Sequence, residues 1–104
     1  MAKLAEELAG LDRLMHEPAR LAIMTALSAV KAADFTFLLN LTGLTKGNLS
    51  SHLQKLEDGG MLEIEKRFLG KVPNTQVSLT TAGRLTIDRH WKQLDAMRRW
   101  RPSG

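Results

Sequence analysis

The stretch from Asp34 to Gly60, DFTFLLNLTGLTKGNLSSHLQKLEDGG, breaks at Thr42-Gly43-Leu44-Thr45 into two short helical patterns. In the second, Leu49, Leu53 and Leu56 recur at i, i+4 and i+7, one stripe of a helix. At about 100° per residue, Gly47, Ser50, Ser51, Gln54 and Lys55 fall on the opposite side. That outer face is small, polar and weakly basic, and it is rich in hydrogen-bonding groups. Thr45 is placed to cap the helix by accepting a backbone N–H bond through its hydroxyl. Gly59-Gly60 ends it, because glycine tolerates the left-handed conformation of a helix C-terminus.

A short helix, a tight turn containing Gly43 and a second helix with a polar outer face make a helix-turn-helix arrangement. The DNA major groove admits such a helix and displays a distinct pattern of donors and acceptors for each base pair. Downstream, Met61 to Phe68 alternates, with Leu62, Ile64 and less regularly Lys66 on one side and Glu63, Glu65 and Arg67 on the other. Period two over this length predicts a strand. Leu69 to Asn74, containing Gly70 and Pro73, reads as a six-residue loop, and Thr75 to Leu79 alternates again with Val77 and Leu79 inward. The expected hairpin has a basic tip, Lys71 with Lys66 and Arg67 close behind. Such a tip suits phosphate contacts, in which electrostatics dominates.

Upstream, Leu4, Leu8 and Leu11, with Leu14 or Met15, form an apolar stripe at helical spacing. Gly10 weakens that helix by roughly 1 kcal/mol relative to Ala, and so short an amphipathic helix needs a packing partner. Pro18 suits a first helical position. Ala19 to Val30, with Leu21, Ile23, Met24, Leu27 and Val30, then reads as the central buried helix. Arg20, near its start, is placed for either a DNA phosphate or a surface salt bridge. Ala33 to Phe35 is expected to be extended. Asp34 or Thr36 then caps a helix that turns Phe37, Leu38 and Leu41 inward. After the hairpin, Thr80 or Thr81 caps a last helix reaching about Trp100. Its apolar residues are Leu85, Ile87, Trp91, Leu94 and Met97, and its cations include Arg84, Arg89, Lys92, Arg98 and Arg99.

The run TKGNLSSHLQKLEDGGMLEIEKRFLGKVPNTQVSLTTAGR, Thr45 to Arg84, resembles the winged helix-turn-helix transcriptional regulators of the MarR/ArsR-like group. The resemblance extends from about Leu14 to Leu94 and is strongest in the recognition-helix run and in the LTxxGR run ending at Arg84. It implies DNA binding, usually as a homodimer, often under the control of a ligand, metal or partner, and it makes the hairpin the wing. Some ArsR-type sensors bind zinc on the last helix through an Asp-x-His pattern. Asp88-x-His90 supplies only half of that pattern, since the region after it, Arg98 to Gly104, has no His, Asp or Glu.

Composition narrows the function classes. The 104 residues suit one domain, and 43% hydrophobic content is enough to bury a core. There is no Cys, which excludes disulfides and thiolate metal ligands. No apolar run approaches the roughly 18–20 residues of a membrane span, and the start MAKLAEELAG lacks a signal-peptide core. A cytoplasmic protein is the expectation. Charge is divided unevenly: residues 1–65 hold six Lys/Arg against nine Asp/Glu, whereas residues 66–104 hold nine against two. A basic half points to a polyanion. An enzyme is not expected, with no Gly-rich phosphate loop, no HExxH and His only at 16, 52 and 90. Ser51 and His52 are adjacent on a helix and point about 100° apart, so they cannot pair as nucleophile and base.

These observations together predict an α+β, mostly helical winged helix over residues 1–104, with a two-stranded wing and terminal helices that pair subunits. The expected function is sequence-specific DNA-binding regulation by a homodimer on a two-fold operator. Double-stranded DNA would be contacted by Thr45, Lys46, Gly47, Asn48, Ser50, Ser51, Gln54 and Lys55 on the helix and by Arg67 and Lys71 on the wing. Leu4, Leu8, Leu11, Ile87, Trp91 and Leu94 would form the dimer interface. A small-molecule effector is compatible with the resemblance, and no metal or cofactor is expected. The rival class is a winged helix serving protein–protein interaction, which would carry large apolar residues on the outer face of the recognition helix.

Overall fold

A computed structural model describes residues 13–102. A single 3₁₀ turn, Arg13–His16, leads into helix α1, Pro18–Ser28. A two-residue strand β1, Ala33–Asp34, precedes helices α2, Phe35–Thr42, and α3, Lys46–Asp58. Strands β2, Leu62–Leu69, and β3, Val72–Leu79, follow, and helix α4 spans Thr81–Arg99. Each helix start has a side-chain cap. The Glu17 carboxylate accepts from the Arg20 N–H at 2.8 Å and Asp34 from that of Phe37 at 2.7 Å. Thr45 accepts from Asn48 at 3.2 Å and Thr80 from Gly83 at 2.9 Å. The Asp and Thr caps each contribute about 1 kcal/mol.

The core takes one stripe from each element. Ile23, Met24 and Leu27 come from α1, Leu38 from α2, Leu49, Leu53 and Leu56 from α3, and Ile87 from α4. Leu62, Val77 and Leu79 close it from the strands, and Met15 from the 3₁₀ turn.

Several elements differ from the sequence expectation. The sheet has three strands in the order β1-β3-β2, because Ala33 and Asp34 pair with Val77 and Gln76. The hairpin loop is two residues, not six: pairing continues through Phe68–Pro73 to Leu69–Val72, leaving only Gly70 and Lys71 to turn. Gly70 has φ 65° and, among the described residues, no non-glycine residue has positive φ, an order that fits a type II′ turn and needs no longer loop. Pro73 sits in the ladder opposite Phe68, at the end of a strand whose N–H loss is tolerated there. On α2 only Leu38 is buried, while Phe37 and Leu41 are about half exposed. An eight-residue helix lying on the core covers one stripe, and Phe37 and Leu41 share a different one. Val30 lies beyond the end of α1 and is also exposed.

The LTxxGR run has a structural explanation. Leu79 is buried and Thr80 caps α4 while its hydroxyl donates to Gly60 O at 2.7 Å. A Cβ on Gly83 would stand 1.9 Å from the Met61 carbonyl oxygen, so α4 approaches the α3–β2 turn in a way only glycine permits. Arg84 donates to Val30 O at 3.0 Å and to Ser28 O at 3.5 Å, covering carbonyls at the C-terminal end of α1. The motif thus seats α4 against both the base of the wing and the end of α1.

Candidate nucleic-acid interface

Helix α3 has a sharply divided surface. Leu49, Leu53 and Leu56 are at most 2% exposed, whereas Lys46, Gly47, Asn48, Ser50, Ser51, Gln54 and Lys55 are all exposed. Thr45, also exposed, uses its hydroxyl oxygen as the helix cap. Nothing lies within 4 Å of where a Gly47 Cβ would stand, so the backbone there opens directly outward. No large apolar side chain interrupts this face.

Two clusters fix the helix against its neighbours. At one edge, Arg20 of α1 donates from Nε to Leu14 O at 2.9 Å, and its Nη1 lies 3.4 Å from His52 Nδ1. Glu17 Oε2 is 3.8 Å from the same His52 nitrogen. Partial burial works to raise the Glu17 carboxyl. Hydrogen bonds from the Arg20 and Ala19 N–H groups, with the charges of His52 and Arg20, outweigh it and hold the group below its ordinary value. Arg20 and His52 therefore tie α1 to α3. At the C-terminal end, Glu57 Oε2 accepts from Ile64 N at 3.2 Å, joining α3 to β2. Glu57 Oε1 and Asp58 Oδ1 accept from Gln54 Nε2 at 3.2 and 2.9 Å.

A cleft of about 280 Å³ separates α3 from the wing, lined by Phe35, Ser50, Leu53, Gln54, Ile64, Lys66 and Thr75. Lys66 disturbs the strand alternation in the sequence because its face has left the core and entered this cleft. That irregularity is the signal by which Lys66 and Thr75 could be added to the site. Arg67 and Lys71 are exposed as expected, but Arg67 lies on the other side of the wing, where its Nε donates to Asn74 Oδ1 at 3.4 Å. The tip is less uniformly basic than anticipated: Phe68, Leu69 and Val72 are 70%, 54% and 64% exposed.

Away from α3 and the wing, an open groove of about 690 Å³ runs between α1, α2 and α4. Leu21, Ala22, Ala26, Ala29, Phe37, Leu41 and Trp91 are among its lining, which includes no charged side chain. Trp91 is 45% exposed and donates from Nε1 to Thr25 Oγ1 at 3.2 Å. Leu94 is partly buried beside it. Ile87, expected at a subunit interface, is instead 1% exposed in the domain's own core, because the inner stripe of α4 is needed to close that core. Leu4, Leu8 and Leu11 lie outside the described residues. Asp88 is exposed while His90 is buried with its ring edge-on to Trp91, so the Asp-x-His pair is split between two environments. Among the described residues, no group of three or more His, Cys, Asp or Glu is placed to hold a metal, and no helix is long and apolar enough to cross a membrane.

The family model described as "Winged helix DNA-binding domain" matches residues 19–97, from α1 to near the end of α4. The chain belongs to this winged helix family. The HTH-type transcriptional regulator YgaV of Escherichia coli is 31% identical over 81 residues, covering 75% of this chain and 82% of that protein. A transcriptional regulator homologue from Pyrococcus horikoshii OT3 superposes with a TM-score of 0.82 at 31% identity, covering 94% and 95% of the two chains. A MarR-family transcriptional regulator from Silicibacter pomeroyi superposes with a TM-score of 0.65 at 26% identity, over 93% of this chain and 62% of that one. This winged helix is thus MarR-like in fold, and these relatives are described as transcriptional regulators.

Proposed function

We propose that the chain is a sequence-specific transcriptional regulator that binds duplex DNA as a homodimer, with α3 in the major groove and the wing along the flanking backbone. The observation that carries this reading is the outer face of α3, a continuous exposed set of small, polar and basic side chains in a winged helix. The protein-interaction alternative calls for large apolar residues there, and none is present. The +7 balance of residues 66–104 supports a polyanionic partner.

The dimer reading draws on the uncharged groove beside Trp91. We assign that groove to a second copy of this chain, whose Leu4, Leu8 and Leu11 have the spacing of an apolar helix stripe. Trp91 and Leu94 flank it on α4. If the dimer makes ~6 phosphate contacts, log affinity should fall with log salt at a slope of about −5. The experiment is a titration of labelled duplex at several salt concentrations. Undetectable binding even at low salt would reject the DNA-binding reading in favour of an interaction module.

A further inference from the structure

The register of the wing sorts its side chains into two faces. Partners directly opposite in the ladder share a face, and successive rungs alternate. The face that carries Ile64–Val77 runs outward through Lys66–Thr75 to Phe68–Pro73. Val77 is in the core and Ile64 packs against it. Lys66 and Thr75 line the cleft with Ser50 and Gln54. Phe68 comes last, at 70% exposure, with only Leu69–Val72 and the Gly70-Lys71 turn beyond it. The opposite face carries Arg67 and Asn74.

We propose that the Phe68–Pro73 rung is an apolar wedge that enters the DNA minor groove beside the major-groove segment occupied by α3. This rests on the DNA-binding reading above. A duplex seated on α3 meets the cleft side of the wing, and that is the side on which Phe68 projects. On its own face the rung follows Lys66, with Arg67 and Lys71 close by; the exposed Leu69–Val72 rung between it and the turn faces the opposite side, and no carboxylate intervenes. An apolar contact framed by cations fits the minor groove, whose deoxyribose and base edges are apolar in part and whose rims are anionic. Apolar wedges such as Phe and Pro placed there partly unstack a base step and bend the duplex toward the major groove. The cations supply phosphate attraction, and the rung supplies a contact that salt does not screen.

The test compares wild type, Phe68→Ser and Phe68→Leu of the full chain on one high-affinity duplex. Affinity is measured across a salt series, and bending by energy transfer between dyes at the duplex ends. Phe68→Ser is expected to weaken binding about tenfold at every salt concentration with the slope unchanged, and to reduce the bend. Phe68→Leu should keep most of both. Because Phe68 is largely exposed, all three proteins should unfold at the same temperature. Wild-type affinity and bend in Phe68→Ser would overturn the wedge and assign the rung to a protein partner. Loss of affinity with an unchanged bend would also overturn it. A wild-type protein that binds no duplex would remove the DNA-binding reading and the wedge together, and that result is visible before any variant is measured.

Discussion

The side-chain amide of Gln54 faces two carboxylates, Glu57 at 3.2 Å and Asp58 at 2.9 Å. An ionised carboxylate only accepts, so the amide must turn its Nε2 toward them and its Oε1 outward. Pairing with adenine through two hydrogen bonds, the usual expectation for Gln, requires that amide to be released. In the arrangement present, Gln54 offers an acceptor, suited to the amino group of cytosine or adenine. Gln54→Ala is expected to cost roughly 1–3 kcal/mol on the best site and to relax preference at one or two positions. Lys71→Ala, at the turn, should weaken all sequences alike and lower the salt slope by about one per site. Measuring both variants on consensus and scrambled duplexes separates the roles, and a changed preference in Lys71→Ala alone would reverse them. Glu17 gives a pH prediction. Its folded value is lowered from 4.5, so its stabilising contribution is complete above 4.5 and is lost as pH falls through the lowered value. The stability gap between wild type and Glu17→Gln should be widest at neutral pH and close on acidification. A gap constant from pH 7 to 3 would contradict the assignment. The outward residues of α3 are legible in the sequence from a single period. The Arg20–His52 contact is not, because it joins residues 32 apart, which no local pattern connects.

At the scale of elements, the sequence is most informative where one face must be buried. The Leu49–Leu53–Leu56 stripe, its Thr45 cap and the strand alternation all appear as expected, since each follows from local spacing. The α2 helix reads less well: Phe37, Leu38 and Leu41 are equally apolar, and only tertiary packing selects Leu38 for the core. The wing turn is misleading for another reason, since Pro73 suggests a loop but is accommodated in the last rungs of the ladder. Glycine at 83 carries a requirement that no local pattern states, namely room for the Met61 carbonyl. Gly83→Ala should therefore destabilise the fold by about 1–3 kcal/mol or more, through displacement of α4 from the α3–β2 turn. Urea unfolding would register this as a lower midpoint with an unchanged slope. A wild-type midpoint would show that α4 can shift without cost.

At the scale of the whole molecule, the two sides of the domain differ in kind. One side presents α3, the cleft and the wing; the other presents an uncharged groove beside Trp91. A two-fold dimer through the groove side would leave both α3 helices free and set them about one DNA turn apart, ~34 Å. Trp91 is half exposed and makes one hydrogen bond to Thr25, so Trp91→Ala should weaken the dimer in sedimentation while leaving the fold intact. A wild-type monomer at tens of micromolar would reject the dimer. The apolar stripes point to the groove side in the sequence, whereas charge does not mark the division, because five of the nine Lys/Arg of residues 66–104 lie on α4 itself; nor can Ile87 be separated there from Trp91, because both lie on one apolar helix pattern. Selection from a pool of random duplexes reads operator sequence and symmetry together. A two-fold symmetric consensus with half-sites about one turn apart should be enriched, and it should be lost when Gln54 and Ser51 are replaced by Ala. Recovery of no consensus from wild-type protein, under salt low enough to retain any duplex, would contradict sequence-specific binding.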